Sequence, residues 1–175
     1  MKSPQNSARL RQRFTFTDEN HKIATDHLKK YPSDRQQSAV IPLLDLAQRQ
    51  HGGWLSPEVI DYVAEYLHMP SIRVWEVASF YSLFRLKQPG KYHIQICGTP
   101  PCWLCGSNDL LRIAKKWLGI DKGERRTDGK FSLEEVECLG ACTAGPVIKI
   151  NDDYHENMTE EKLISLLQSF ADDTR

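Results

Sequence analysis

The chain has no cysteine before Cys97, no long apolar run and no excess of either charge. No stretch reaches the roughly eighteen consecutive apolar residues that a membrane-crossing helix needs. Lys plus Arg is 23 and Asp plus Glu is 23, so the formal net charge is zero. That balance, without any Lys/Arg run, argues against a nucleic-acid binder or a phosphate- or membrane-surface stripe. The sequence holds no G-x-G-x-x-G loop and no P-loop, no internal repeat and no low-complexity segment. It is not polar enough to be disordered: 40% of the residues are hydrophobic and 26% charged, an ordinary balance for a soluble globular protein. The cysteines are few, odd in number and crowded: all 5 lie between Cys97 and Cys142. A secreted disulfide scaffold spreads an even number through a shorter chain. The pattern points to a reducing compartment and a local metal or redox site.

Residues 1–13 carry Lys2, Arg9, Arg11 and Arg13 and no acid. The segment is short and lacks an apolar face, and reads as a disordered tail rather than a transit signal. Residues 14–81 carry helical periodicity. Thr17 caps a first helix with the stripe Ile23, Ala24, His27, Leu28 and Tyr31. Val40, Ile41, Leu43, Leu44, Leu46 and Ala47 mark a second, with Pro42 in its first turn. Ser56-Pro57-Glu58 opens a third, with Val59, Ile60, Val63, Ala64 and Leu67 on its stripe. Ser71 caps a fourth through Ile72, Val74, Trp75 and Ala78. Four short helices make a helical bundle.

After Pro89-Gly90 the period changes. Tyr92, Ile94 and Ile96 alternate with His93, Gln95 and Cys97, as in a strand. A loop, a helix bearing Leu110, Leu111, Ala114, Trp117 and Leu118, and the turn signal Asp128-Gly129 follow. Residues 131–138 read as a strand ending at Cys138, and 147–150 as another. Thr159 caps a last helix. Residues 90–172 thus form an α/β layer of thioredoxin-like size, and the whole chain is α+β.

The cysteines Cys97, Cys102, Cys105, Cys138 and Cys142 fit several chemistries. Cys102-Trp103-Leu104-Cys105 between a strand and a helix has the placement of a thiol–disulfide exchange motif. Cys102, Cys105, Cys138 and Cys142 have the form of a structural zinc site. Cys97, Cys102 and Cys105 with a distant Cys138 have plant-type 2Fe–2S spacing. Cys97 with Cys102, and Cys138 with Cys142, form two pairs that each suit one iron. Position favours the last arrangement, because Cys97 and Cys138 each end a strand. It strands only Cys105; the zinc reading, next in order, strands Cys97. A Rieske site lacks its histidines.

Cys97-Gly98-Thr99-Pro100-Pro101-Cys102 followed by Gly106-Ser107, then Glu137-Cys138-Leu139-Gly140-Ala141-Cys142 and Pro146, resembles the thioredoxin-like 2Fe–2S subunits of respiratory complex I. So do Ser38-Ala39-Val40-Ile41-Pro42-Leu43-Leu44, Gly53-Trp54-Leu55, Glu76-Val77-Ala78-Ser79-Phe80-Tyr81 and Asn151-Asp152-Asp153-Tyr154. Related subunits serve bidirectional hydrogenases and NAD-linked formate dehydrogenases. Cys105 departs from the family's usual non-cysteine residue. The resemblance implies a thioredoxin-like 2Fe–2S ferredoxin domain behind the helical bundle. It implies one 2Fe–2S cluster held by Cys97, Cys102, Cys138 and Cys142, with Cys105 a bystander. It also implies electrons arriving singly from the flavin of an NADH-binding flavoprotein subunit. FMN and NADH then belong to that partner, in keeping with the absent nucleotide loops, and the isolated chain oxidises no NADH. Other hydrophilic-arm subunits are further partners, with no nucleic acid and no membrane insertion. The place is the cytoplasmic face of a bacterial inner membrane, or the mitochondrial matrix side.

Glu137 beside Cys138, and the lack of Lys or Arg within three residues of any cysteine, favour a low potential. Backbone N–H groups of Gly98, Thr99, Gly140 and Ala141 are the expected donors to sulfur. His93 reads as a packed or edge histidine, and His21, His27, His51, His68 and His155 as structural. Trp75, Phe80, Tyr81 and Phe84 form an aromatic patch, read as interdomain core. Trp103 shields the cluster or docks into the partner. Lys115, Lys116, Arg125 and Arg126 read as a solvated face.

Overall fold

A computed structural model describes residues 13–173. The chain divides into two compact units, one reaching Gln88 and one starting at Pro89. The expected tail lies outside the described residues except for Arg13, which pairs with Glu65.

The first unit holds α1 (Asp18–Leu28), α2 (Val40–Gln50), α3 (Pro57–Tyr66) and α4 (Ser71–Phe80). Local chemistry sets the starts. The Thr17 hydroxyl accepts from the Asn20 N–H at 3.2 Å, and Asp18 and Glu19 face the positive end of the helix dipole. Pro42 falls in the first turn of α2, where its missing N–H has no helical partner to lose. Ser56 accepts from the Val59 N–H at 3.4 Å ahead of Pro57. The start of α4 differs from expectation. Pro70 occupies the cap position, Ser71 is the first helical residue, and its hydroxyl donates to Asp61 of α3 instead. Leu43, Leu44, Val59, Ile60, Val63 and Val74 are fully buried, each large aliphatic contributing roughly 1.5–3 kcal/mol. Ile72 is expected on the buried stripe but is exposed. It lies two residues from Val74, about 200° around the helix. Past α4, buried Gln48 donates to the Leu83 carbonyl at 3.1 Å and accepts from the Arg85 N–H at 2.7 Å. That pair of bonds holds Phe84 in the core of this unit.

The second unit holds β1 (Tyr92–Cys97), α5 (Pro100–Leu104), α6 (Ser107–Leu118), β2 (Glu124–Arg125), β3 (Phe131–Val136), β4 (Ile148–Ile150), β5 (Asp153–His155) and α7 (Glu160–Asp172). The sheet order is β2-β3-β1-β4-β5. Strands β1 and β3 run parallel, with Cys97 opposite Val136, and the other neighbours are antiparallel. Ile94, Ile96, Phe131, Leu133 and Ile148 pack with Leu110 and Ala114 of α6 and Leu163 and Leu167 of α7. The α+β class expected from the sequence is the class observed.

Three local features add detail to the expected pattern. All six residues of β1 are buried, the alternate polar ones included. The strand is central, and its polar side chains are paired. His93 Nδ1 lies 2.8 Å from the Ser132 hydroxyl and Nε2 3.0 Å from a Glu134 carboxylate oxygen; Gln95 donates to the same oxygen at 3.3 Å. The loop after Cys97 contains a helical turn, α5, because Pro100 and Pro101 fix φ for its first two positions. Asn151, at φ 56°, turns the chain from β4 into a further strand, β5.

Candidate metal centre

The parallel pairing of β1 and β3 brings their C-terminal ends out side by side, with the Gly98 N–H on the Val136 carbonyl at 2.9 Å. The two cysteine-bearing segments leave from these ends. Cys97, the last residue of β1, is buried, as is Cys102 in α5, while Cys105, Cys138 and Cys142 are exposed. Cys138 lies two residues beyond β3 rather than within it, and Cys142 opens a single 3₁₀ turn, Cys142–Ala144. The segments touch: the Cys97 Sγ is 3.8 Å from the Glu137 carbonyl. Leu139, Ala141 and Val147 pack against Cys97 and Cys102 as an apolar wall.

The sulfurs are met by donors. The Thr99 hydroxyl lies 3.2 Å from the Cys97 Sγ, and the Gly140 N–H donates to the Cys138 Sγ at 3.3 Å. Gly140 adopts φ 77° to make that approach. Burial pushes the Cys97 thiol up. The Thr99 hydroxyl, the Thr99 and Leu139 amides and the Cys102 thiol outweigh it and hold Cys97 below its ordinary value. Cys102 moves the opposite way, raised by burial and by its hydrogen bond to Cys97, with the Val147 amide opposing. Of the expected backbone donors, Thr99 and Gly140 face sulfur. Gly98 does not, because its N–H continues the β1–β3 ladder. Leu139 and Val147 were not anticipated; no side-chain pattern marks an amide that aims at sulfur.

Cys105 is also closer to this place than the sequence suggests. It caps the C-terminal end of α5, three residues after Cys102. A Cβ on Gly145 would stand 3.5 Å from the Cys102 Sγ and 3.6 Å from the Cys105 Sγ, so glycine leaves the space in front of both thiols open. Among the described residues, no three His, Cys, Asp or Glu side chains converge on a single metal ion. A two-iron cluster asks for less convergence, since each iron needs only two thiolates. Soft thiolate donors, two of them buried and several met by N–H or O–H groups, suit iron and sulfide.

Other singled-out residues separate. Phe84 is core and Trp75 packs against that core, whereas Phe80 is 80% exposed. Trp103 and Leu104 of α5 are 52% and 76% exposed. Lys115 pairs with Asp121 at 2.6 Å, and Arg126 with Asp128.

A thioredoxin-like sheet with thiols gathered where two parallel strands end defines a ferredoxin-type metal protein. The chain belongs to the thioredoxin-like 2Fe-2S ferredoxin family, whose model matches residues 24–171. It is 55% identical over 160 residues to an NADH-quinone oxidoreductase subunit of Rickettsia felis, covering 91% of this chain and 96% of that one. It is 47% identical over 154 residues to the mitochondrial NADH dehydrogenase (ubiquinone) flavoprotein 2 of Dictyostelium discoideum, covering 88% of this chain and 62% of that one. Among solved structures, an NAD+-reducing NiFe-hydrogenase in the H2-reduced state superposes with a TM-score of 0.67 at 19% identity. That match covers 77% of this chain and 23% of the hydrogenase chain, and shows likeness of fold.

Proposed function

We propose that this chain is the small iron–sulfur subunit of an NADH:quinone oxidoreductase. The carrying observation is the meeting of the Cys97–Cys102 and Cys138–Cys142 segments at the ends of β1 and β3. Those four cysteines would hold one 2Fe–2S cluster, which supplies a one-electron site. The chain's own residues do the rest. Leu139, Ala141 and Val147 keep water from the buried thiols, and the amides of Thr99, Leu139, Gly140 and Val147 offer positive dipoles to sulfur. Glu137 adds negative charge beside Cys138, which favours a low potential.

NADH and FMN belong to a flavoprotein partner, because the sequence lacks any glycine loop for a dinucleotide. The exposed Trp103 and Leu104 lie on the helix that carries Cys102, and large exposed apolar side chains favour a partner's cover. No described helix is long and apolar enough to cross a membrane, in keeping with a peripheral subunit. Its place is the cytoplasmic face of a bacterial inner membrane.

The test is anaerobic purification of the full chain, with iron, sulfide and zinc assayed and NADH oxidation measured alone and with the flavoprotein subunit. The expected result is a red-brown protein with about two irons and two sulfides. It is inactive alone and forms a stable complex with the flavoprotein. A colourless protein with one zinc, or full NADH turnover by the single chain, overturns the proposal.

A further inference from the structure

Thr99 occupies the N-cap position of α5, with the extended backbone of a capping residue, φ −72° and ψ 158°. A threonine there ordinarily accepts a hydrogen bond from the backbone N–H two or three residues on. This one makes no such cap. The first two helical positions are Pro100 and Pro101, and a proline has no N–H to give. Pro101 removes the nearer of those two donors, and the hydroxyl does not take the other, the Cys102 N–H; it lies instead 3.2 Å from the Cys97 Sγ. A thiolate bound to iron carries no proton and can only accept, so the hydroxyl must donate.

We infer that Thr99 is a positioning residue that sets the reduction potential of the proposed cluster by donating its hydroxyl proton to the Cys97 sulfur. The inference rests on the ligand set proposed above. Reduction adds one negative charge to a site that already has Glu137 beside Cys138 and no Lys or Arg within three residues of any cysteine along the chain. A donor aimed at a ligand sulfur stabilises that added charge and raises the potential. Thr99 is the one side-chain hydroxyl among the described residues that reaches a candidate ligand sulfur within hydrogen-bond distance. Cys97 is buried, so the bond is little screened by water. Pro101 contributes indirectly, by removing one of the two backbone donors the hydroxyl would ordinarily meet.

The experiment compares the full-length chain with Thr99→Val, Thr99→Ala and Thr99→Ser. Iron, sulfide and absorbance are measured first. The midpoint potential then comes from a redox titration followed by the paramagnetic signal of the reduced cluster. A pulsed measurement in D2O looks for an exchangeable deuteron coupled to that signal. Thr99→Val and Thr99→Ala should keep the cluster but shift the potential downward. The expected change is about tenfold in the reduced-to-oxidised ratio at a fixed poise, 59 mV for a one-electron couple. Both should lose a deuteron coupling that the parent and Thr99→Ser show, and Thr99→Ser should restore the potential. An unchanged potential in both apolar variants overturns the inference. So does failure of all three variants to hold a cluster, since that marks a packing role. A parent chain without iron would instead sink the functional proposal itself, so the two failures are distinguishable.

Discussion

Five thiols compete for four ligand positions, and the contest lies between Cys105 and Cys142. Both are exposed, so burial does not separate them. Connectivity does: Cys142 shares a segment with Cys138, and that segment reaches Cys97 through Glu137. Cys105 is the residue just after the short helix of Cys102. Cys105→Ser should leave the absorbance and the reduced-state paramagnetic signal unchanged. Cys142→Ser should abolish or distort both, because an alkoxide is a poorer ligand to iron in a sulfide cluster than a thiolate. A plant-type ligand set predicts the reverse ordering. Cys105 and the ligand Cys102 both border the space at Gly145, so Cys105 has the reach to replace a lost ligand, and the double variant completes the test. Loss of the cluster in Cys105→Ser alone would show the wrong ligands were chosen. Gly90 makes a separate point at this scale. A Cβ there would stand 2.4 Å from the Phe131 carbonyl carbon and 2.7 Å from the Ser132 nitrogen, both backbone atoms of a central strand. Overpacking of this kind costs about 1–3 kcal/mol. Gly90→Ala should lower the thermal midpoint by several degrees, and an unchanged midpoint would show that β1 and β3 shift apart freely.

At the scale of elements, starts with a side-chain cap were legible in the sequence. Thr17, Ser56 and Thr159 each accept the expected N–H. Ser71 was misread because a serine after a proline offers the same local signal. Only the fold reveals that Asp61 of α3 takes its hydroxyl. A packed His93 was legible but its partners were not, since alternation reports residue polarity, not the pairing of His93 with Ser132 and Glu134 across the sheet. The centre's thiols were legible as a set, and its donors only in part, because backbone amides carry no sequence label. The turn into β3 shows how local charge holds an element. Hydrogen bonds from the Arg126 side chain and the Lys130 amide hold Asp128 below the ordinary carboxylate range. Lys115, and then the Lys122 amide, do the same for Asp121. With folded values lowered, the native state binds fewer protons than the unfolded chain as these groups titrate. Their stabilising effect is therefore present above the ordinary carboxylate value and lost as pH falls. Thermal unfolding followed between about pH 5 and about pH 2 should show a shallower acid limb for the Asp121→Asn, Asp128→Asn double variant than for the parent. The effect is small, since both groups are exposed. An unchanged slope would assign acid sensitivity to other carboxylates.

At the scale of the whole molecule, the chemistry and the helices are segregated along the chain. Every cysteine lies in the unit from Pro89 onward. Each unit has its own core: Leu43, Leu44, Ile60 and Val63 in one, and Ile94, Phe131, Leu133 and Leu163 in the other. The boundary falls in Lys87-Gln88-Pro89-Gly90, where Pro89 removes a donor and the Gly90 N–H is already committed to the Ser132 hydroxyl at 2.9 Å. A unit of this size buries enough of its surface to fold alone, though with a modest margin. Residues 89–175, expressed separately, should unfold cooperatively on heating. They should carry the same iron and sulfide, with the same absorbance per chain, as the full protein. Residues 1–88 should fold as a helical module and bind no iron. The decisive comparison is cluster content at equal protein concentration, because a fragment that folds but stays colourless would mean that the helical unit completes the centre. An unfolded fragment beside a stable full chain would mean instead that the core around Phe131 and Leu163 depends on the helices for its stability. Only a coloured, cooperatively folding fragment fits a centre built wholly from the ends of β1 and β3.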